Sequence, residues 1–331
     1  MKRFGALPVF ALVSLAVLAA APLVGGGVSL DVVFHPLPRD PASMIFWQIR
    51  LPRVLLGWVA GAGLAAAGMV FQAIFRNSLA TPYTLGVSAG ASLGAALGMR
   101  LGLGGLLLGF SVMNLSAMAG ALIAIGLVYG LTRLRRECST ATMLLAGVAV
   151  NFLFASLILL IQYSADFYDT FRILRWLMGG LEMVGFSAPL RALIVVAPVA
   201  LVLALMSFEL NLLTIGEELA ISRGMAVARV RSVLFFLVSL MVGVVVSICG
   251  PIGFVGLMCP HICRLIVGAD HRRLLPATLL FGGAFLVVCD TAARTLFAPT
   301  ELPVGIFTSL LGGPFFLWLL LKPSRAGTAA V

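Results

Sequence analysis

The stretch SVLFFLVSLMVGVVVSICGPIGFVGLMCPHIC, residues 232–263, contains no Asp, Glu, Lys or Arg. A helix crosses bilayer hydrocarbon with roughly 20 apolar residues, so this run is too long for one crossing. Its middle holds Gly250-Pro251-Ile252-Gly253, a strong turn signal. The run therefore reads as two apolar helices, one ending near Cys249 and the next starting near Phe254.

Uncharged stretches of the same kind fill the chain: Phe4–Leu30, Val54–Phe75, Asn77–Met99, Leu101–Thr132, Cys138–Ala165, Ala192–Phe208, Leu274–Cys289 and Leu302–Leu321. In Leu101–Thr132, the Gly-rich opening from Gly102 to Gly109 reads as a loop before a helix from about Met113. Ten spans result, at approximately 4–28, 54–75, 83–99, 113–132, 142–163, 192–208, 232–249, 254–267, 275–297 and 304–321. Lys2-Arg3 and Ala19-Ala20-Ala21 also resemble a secretory leader, but the apolar run between them is long for one and reads as the first span.

Composition agrees. Hydrophobic residues make up 61% of the 331 and charged residues 10%, where a soluble domain carries about 25% charged. Membrane β-barrel strands would alternate polar and apolar residues. Continuous apolar runs leave helices as the spanning element. The expected fold is an all-α integral membrane protein with a single transmembrane domain over 1–331.

The net charge of +10 is spread between apolar runs, with no basic stripe interleaved with aromatics. It reads as a topology signal, and no nucleic-acid partner is expected. Ten spans put both termini on one side. That side carries fourteen Lys and Arg residues, among them Arg76, Arg223, Arg264 and Arg272, against eight on the other, among them Arg50, Arg53, Arg172 and Arg294. The positive-inside rule makes the termini cytoplasmic.

Two connections are long. Residues 164–190, outside, hold Asp166, Asp169, Arg172, Arg175 and Trp176 and read as a short amphipathic helix on the membrane surface. Residues 209–231, inside, read as helical, with Thr214 and Glu217 at capping-box spacing and Gly224 able to end the helix. Such a helix either docks a partner or simply connects two spans.

Catalytic and nucleotide motifs are missing: no phosphate loop, no HExxH, no GxSxG, no dinucleotide fingerprint. No carboxylate sits alone in mid-span, where ion-coupled transporters keep one. Asp290 comes nearest, toward the outer end of its helix, with Arg294 at i+4 as the expected ion partner. The five cysteines include no CxxC pair. Cys259-Pro260-His261-Ile262-Cys263 reads as packed cysteines around a kinked helix end rather than a metal site, and His35 and His271 stand alone. Small residues recur at Gly57/Gly61, Ala62/Ala66 and Gly86/Gly90/Gly94, spacing that lets helices pack closely in lipid.

Several strings together resemble one family. They are Arg50-Leu51-Pro52-Arg53, Arg76-Asn77-Ser78-Leu79-Ala80-Thr81-Pro82 and Leu85-Gly86-Val87-Ser88-Ala89-Gly90-Ala91, then Gly253-Phe254-Val255-Gly256, Cys259-Pro260-His261-Ile262-Cys263-Arg264 and Gly268-Ala269-Asp270-His271. Asp290-xxx-Arg294, Glu301-Leu302-Pro303-Val304-Gly305 and Gly312-Gly313-Pro314 complete the set. From about residue 47 to 322 the chain resembles the FecCD-type permeases of binding-protein-dependent ABC importers, which carry iron–siderophore complexes, haem or cobalamin.

The resemblance implies a homodimer in the bacterial inner membrane with the pathway at its interface. It implies two copies of a separate ATPase, which hold ATP and Mg, and a periplasmic binding protein outside. No cofactor or metal is expected in this chain. Gly216, Glu217, Glu218, Leu219, Ala220, Ser222, Arg223 and Gly224 match the segment that couples to the ATPase. Arg50, Arg53 and Arg294 match arginines that pair with the binding protein. Asn151, Ser156 and Thr308 are candidates for polar groups on the pathway, which Leu144–Gln162 and Val304–Leu321 would line. Ser78 departs from the family's usual proline, which removes a fixed φ from that turn. A secondary transporter of a small organic solute is the competing reading; genes for an ATPase and a secreted binding protein beside this one would exclude it.

Overall fold

A computed structural model describes residues 5–25, 31–34, 40–107, 110–134 and 140–321. Lys2, Arg3, Arg39, Arg135, Arg136, Lys322, Arg325, His35 and Cys138 lie outside the described residues, as do both ends of the first expected span.

The chain runs through α1 (Ala6–Ala20) and a 3₁₀ turn (Ala21–Leu23), then the short α2 (Asp31–Phe34). Next, α3 (Pro41–Met44) continues through a π turn (Ile45–Arg50) into α4 (Leu51–Phe75). There follow α5 (Val87–Arg100), α6 (Val112–Leu134), α7 (Thr140–Ser164), α8 (Phe167–Leu177), α9 (Ser187–Leu205), α10 (Ser207–Ile215) and α11 (Glu217–Ser222). Four helices close the chain: α12 (Val227–Cys249), α13 (Val255–Val267), α14 (His271–Thr295) and α15 (Val304–Leu321). Each expected span falls on a helix. Seven helical segments among the described residues are long and apolar enough to cross a membrane, while α13 and α15 are apolar but shorter. With 13 residues, α13 reaches only about 20 Å at 1.5 Å per residue.

The buried centre is α4. Of its most apolar window, 89% is buried, against 22% for α7. Helices α9, α12, α13 and α14 all pack on α4, and Phe71 meets Phe235 of α12 edge to face. Small residues make this possible: a Cβ on Gly68 would fall 1.7 Å from the Gly256 carbonyl oxygen of α13. Pro260 has no N–H to offer the carbonyl four residues earlier, which is that of Gly256. Gly61 meets Gly282 in the same manner, and Gly90 meets Gly120 between α5 and α6.

The structure corrects four local expectations. Pro260 lies inside α13, not at its end; the close crossing at Gly68 holds the helix through the missing hydrogen bond. Residues 102–109 are not simply a loop: Leu106–Leu107 pairs antiparallel with Phe110–Ser111 ahead of α6. The capping box does not form. Thr214 turns its hydroxyl back to the carbonyl of Asn211 at 2.7 Å, and Gly216 separates α10 from α11 with φ 151° and no side-chain cap. Asp290 takes its hydrogen bonds from Arg53, 237 positions away in sequence, rather than from Arg294.

Candidate functional site

Three features stand along the axis of α4: a cluster of charges at its start, a cavity beside its middle and a polar network at its end.

At the start, the Arg53 guanidinium forks onto Asp290, with Nε to Oδ2 and Nη2 to Oδ1 both at 2.9 Å. Its third nitrogen, Nη1, reaches Glu301 Oε2 at 2.7 Å. Arg53 and Asp290 are buried, and Glu301 is half exposed. Two paralleled N–H···O bonds to a carboxylate make the strongest ion-pair geometry available to arginine. Arg50 donates to the carbonyls of Pro22 and Gly25, and Arg294 donates to that of Ala21. Helix ends leave carbonyls unpaired, and guanidinium groups satisfy them well. All three arginines that the resemblance assigns to partner docking are thus gathered in one patch, and two of them also fasten the end of α1.

The central cavity measures about 810 Å³. Its lining comes from irregular backbone at Thr81, Pro82 and Tyr83 and at Pro251 to Phe254, with Leu64 of α4 and Gly305, Ile306, Ser309 and Leu310 of α15. Irregular backbone survives at membrane depth only where protein buries it or where it lines a cavity. Here it is well knit. Thr81 and Thr84 exchange hydroxyl bonds, and Asn77 Oδ1 accepts from Leu79 N at 2.9 Å. The turn therefore closes with Ser78 where a proline is usual. On the other side Gly250 sits at φ +67°, and a Cβ there would meet the Trp176 carbonyl at 2.5 Å. A second cavity of about 450 Å³ shares Tyr83, Leu177 and Pro251 and includes Asn151 and Gln162 of α7.

Of the pathway candidates, Asn151 lines this second cavity. Ser156 is exposed on the outer flank of α7. Thr308 is buried and donates to the carbonyl of Gly305. Ser309, one position on, faces the central cavity. Sequence reading passed over Ser309 and Tyr83; Ser309 lies on an unbroken apolar helix that gives no sequence signal, whereas Tyr83 follows Thr81-Pro82, and an interrupted span of that kind marks binding sites in transporters.

In the last turn of α4, Gln72 Oε1 accepts from Arg264 at 3.0 Å. Asn211 of α10 accepts from His271 N at 2.9 Å and donates to Asp270 Oδ1 at 2.8 Å. The bond from Asn211 holds the Asp270 carboxyl below its ordinary range. Next to this network, α11 turns Glu217, Glu218, Leu219, Ser222 and Arg223 outward, with Gly224 exposed at its end; only Ala220 is buried. Glu217 is tied to Arg231 of α12 at 3.0 Å. Ile215, Leu219 and Ile221 stand exposed beside these charges. A mixed apolar and charged patch on a short helix suits a protein partner.

On α8, Phe167, Tyr168 and Phe171 are exposed while Ile173 is buried, which gives the expected short amphipathic helix. Among the described residues no group of three or more His, Cys, Asp or Glu side chains is placed to hold a metal ion.

The FecCD transport family matches residues 8–322. The hemin transport system permease protein HmuU of Yersinia pestis is 39% identical over 317 residues, covering 95% of this chain and 94% of that protein. The vitamin B12 import system permease protein BtuC of Salmonella typhi is 42% identical over 284 residues, covering 86% and 85%. A solved inward-facing conformation of a metal-chelate type ABC transporter superposes with a TM-score of 0.86 at 32% identity, over 96% of this chain and 98% of that one.

Proposed function

The chain belongs to the FecCD transport family, and on that premise we propose that it is the permease of an ABC importer for an iron chelate, haem or cobalamin. The observation that carries this reading is the family match over nearly the whole chain, joined to a cavity that lies between two partner-ready ends. A separate ATPase supplies the energy and holds ATP and Mg. It receives α11, whose exposed Leu219 and Ile221 need cover on the water side. A periplasmic binding protein docks at the patch of Arg50, Arg53 and Arg294 and delivers solute to the cavity.

Ten crossings with both termini cytoplasmic fit the charge distribution, in the bacterial inner membrane. The short α5 and α13 complete their crossings through residues 77–86 and 250–254, the two irregular segments that line the cavity. Two copies pair through the exposed apolar faces of α7 and α15, where Leu145, Phe152 and Leu159 and Leu310, Leu317 and Trp318 stand outward. That arrangement places both cavities toward the dimer axis. Contacts with solute are mostly apolar, with Ser309, Tyr83 and Asn151 as polar exceptions, so that the solute is released as readily as it is accepted.

Reconstitution with an ABC ATPase and a substrate-binding protein from the same organism tests this. Uptake of a ferric chelate, haem or cobalamin into proteoliposomes should require ATP inside the compartment corresponding to the cytoplasm. Uptake by the chain alone, driven by a proton or sodium gradient, would replace the reading with secondary transport.

A further inference from the structure

We propose that Glu301 is an internal occupant of the position on Arg53 that a carboxylate of the docking protein takes. The inference rests on the docking of a binding protein at this end, as read above.

The two edges of the Arg53 guanidinium are not equivalent. Nε and Nη2 are committed to Asp290, whose side chain is 3% exposed. That pair is structural, because removing either partner strands a buried charge. Nη1 points the other way, to a glutamate whose side chain is 49% exposed. Half of the Glu301 side chain stays in water, so its carboxylate loses less hydration on pairing than the buried Asp290 and is the partner that can exchange. Arg53 and Glu301 also border an open cavity of about 860 Å³, which Ile49, Phe171, Arg175 and Glu182 help to line. An incoming acidic side chain therefore has a route to Nη1, and it must displace Glu301 to bond there.

The displacement has a structural consequence. Glu301 lies in the irregular segment directly before α15. Four residues later Gly305 donates its N–H to the Gly179 carbonyl, and Gly305, Ile306, Ser309 and Leu310 line the central cavity. The Arg53–Glu301 pair thus ties α4 to the entry of the helix that walls the cavity. Exchanging Glu301 for a partner's carboxylate keeps Arg53 satisfied and frees that entry. No bond is made or broken beyond the hydrogen bond and ion pair that change hands.

The test uses the full permease–ATPase complex in lipid nanodiscs and a secreted substrate-binding protein from the same organism. Affinity is measured by biolayer interferometry at low and high salt for the wild type, Glu301→Gln and Glu301→Ala. Both variants leave Asp290 on Arg53, so the buried pair stays intact. Both should bind the partner about fivefold more tightly at low salt, as for a pair whose carboxylate is half exposed, and the gain should shrink as salt screens it. Wild-type docking with both variants at wild-type affinity or weaker would overturn the inference and leave the docking reading standing. A wild-type complex that never binds the partner would remove the docking reading, and this inference with it.

Discussion

Helices α4 and α7 have equal length, 25 residues each, and opposite surroundings. The buried one, α4, is the less apolar of the two. Where its backbone crosses other helices, α4 presents Gly57, Gly61, Gly68 and a run of alanines, with Leu56, Leu64, Met69 and Phe71 filling the space between crossings, and α7 instead turns Leu145, Phe152, Leu153 and Leu159 outward. In water the order would be reversed, with the larger apolar side chains inside. Lipid removes that preference, because tails are as apolar as leucine and burial from lipid brings no hydrophobic gain. What remains is van der Waals packing, which favours small residues where backbones meet. The contrast teaches that in this protein small side chains mark where backbones cross closely, while polarity does not separate inside from outside.

The comparison breaks most readily at the α4–α13 crossing. Gly68→Val puts a Cβ and two methyl groups into the Gly256 carbonyl, with backbone on both sides and nothing flexible to yield. The expected loss is about 3 kcal/mol or more. Detergent-solubilised protein should lose its monodisperse elution; a variant that elutes normally with unchanged thermal stability would remove close backbone crossing as the rule for α4.

Next in size is Arg53→Ala, which strands Asp290 and should cost about 3–5 kcal/mol. The double variant Arg53→Met with Asp290→Leu should recover most of that loss, since well-packed apolar replacements of buried pairs are often neutral. Thermal unfolding of the purified set decides it. Equal instability of the single and double variants would mean that the ion pair itself, not relief of a stranded charge, holds α4 to α14.

Gly147→Ala tests whether the inner face of α7 obeys the rule of α4. A Cβ there would sit 2.7 Å from the Leu85 Cα. Helix propensity favours alanine by about 1 kcal/mol, and overpacking costs about 1–3 kcal/mol. A net loss of about 1 kcal/mol is expected in the same melting assay; stabilisation would show that this contact yields.

The smallest effect on folding belongs to Phe152→Ala on the outer face of α7, where surface changes stay within about 0.5 kcal/mol. Self-association is the sharper readout. If copies pair through this face, crosslinking between copies should fall while the melting temperature holds. Undiminished crosslinking would move the pairing surface elsewhere.

Much of the fold was legible in the sequence because two signals are local. Apolar run length marked the long helices, and Gly250-Pro251-Ile252-Gly253 split one run where the structure ends α12 and begins α13. The charged ends were legible too: Arg50, Arg53 and Arg294 fell together at one end, and α11 was found between two spans. Their partners were not. Arg294 was the near neighbour of Asp290 along the chain, yet Arg53 holds it, because a folded helix bundle brings position 53 to position 290. Thr308 and Ser309 could not be told apart on an all-apolar helix, where no polar stripe announces which face meets the cavity.

The sequence by itself determined that this chain is helical and membrane-embedded, because backbone groups in hydrocarbon must bond within their own segment and only long apolar helices do so without a partner strand. It also determined the family, through motifs with fixed spacing. Tertiary structure alone decided which helix is central, which faces are covered and which carboxylate each arginine holds. In lipid a helix has no wet and dry side to read from its sequence, so those choices are made by the fit of one backbone against another.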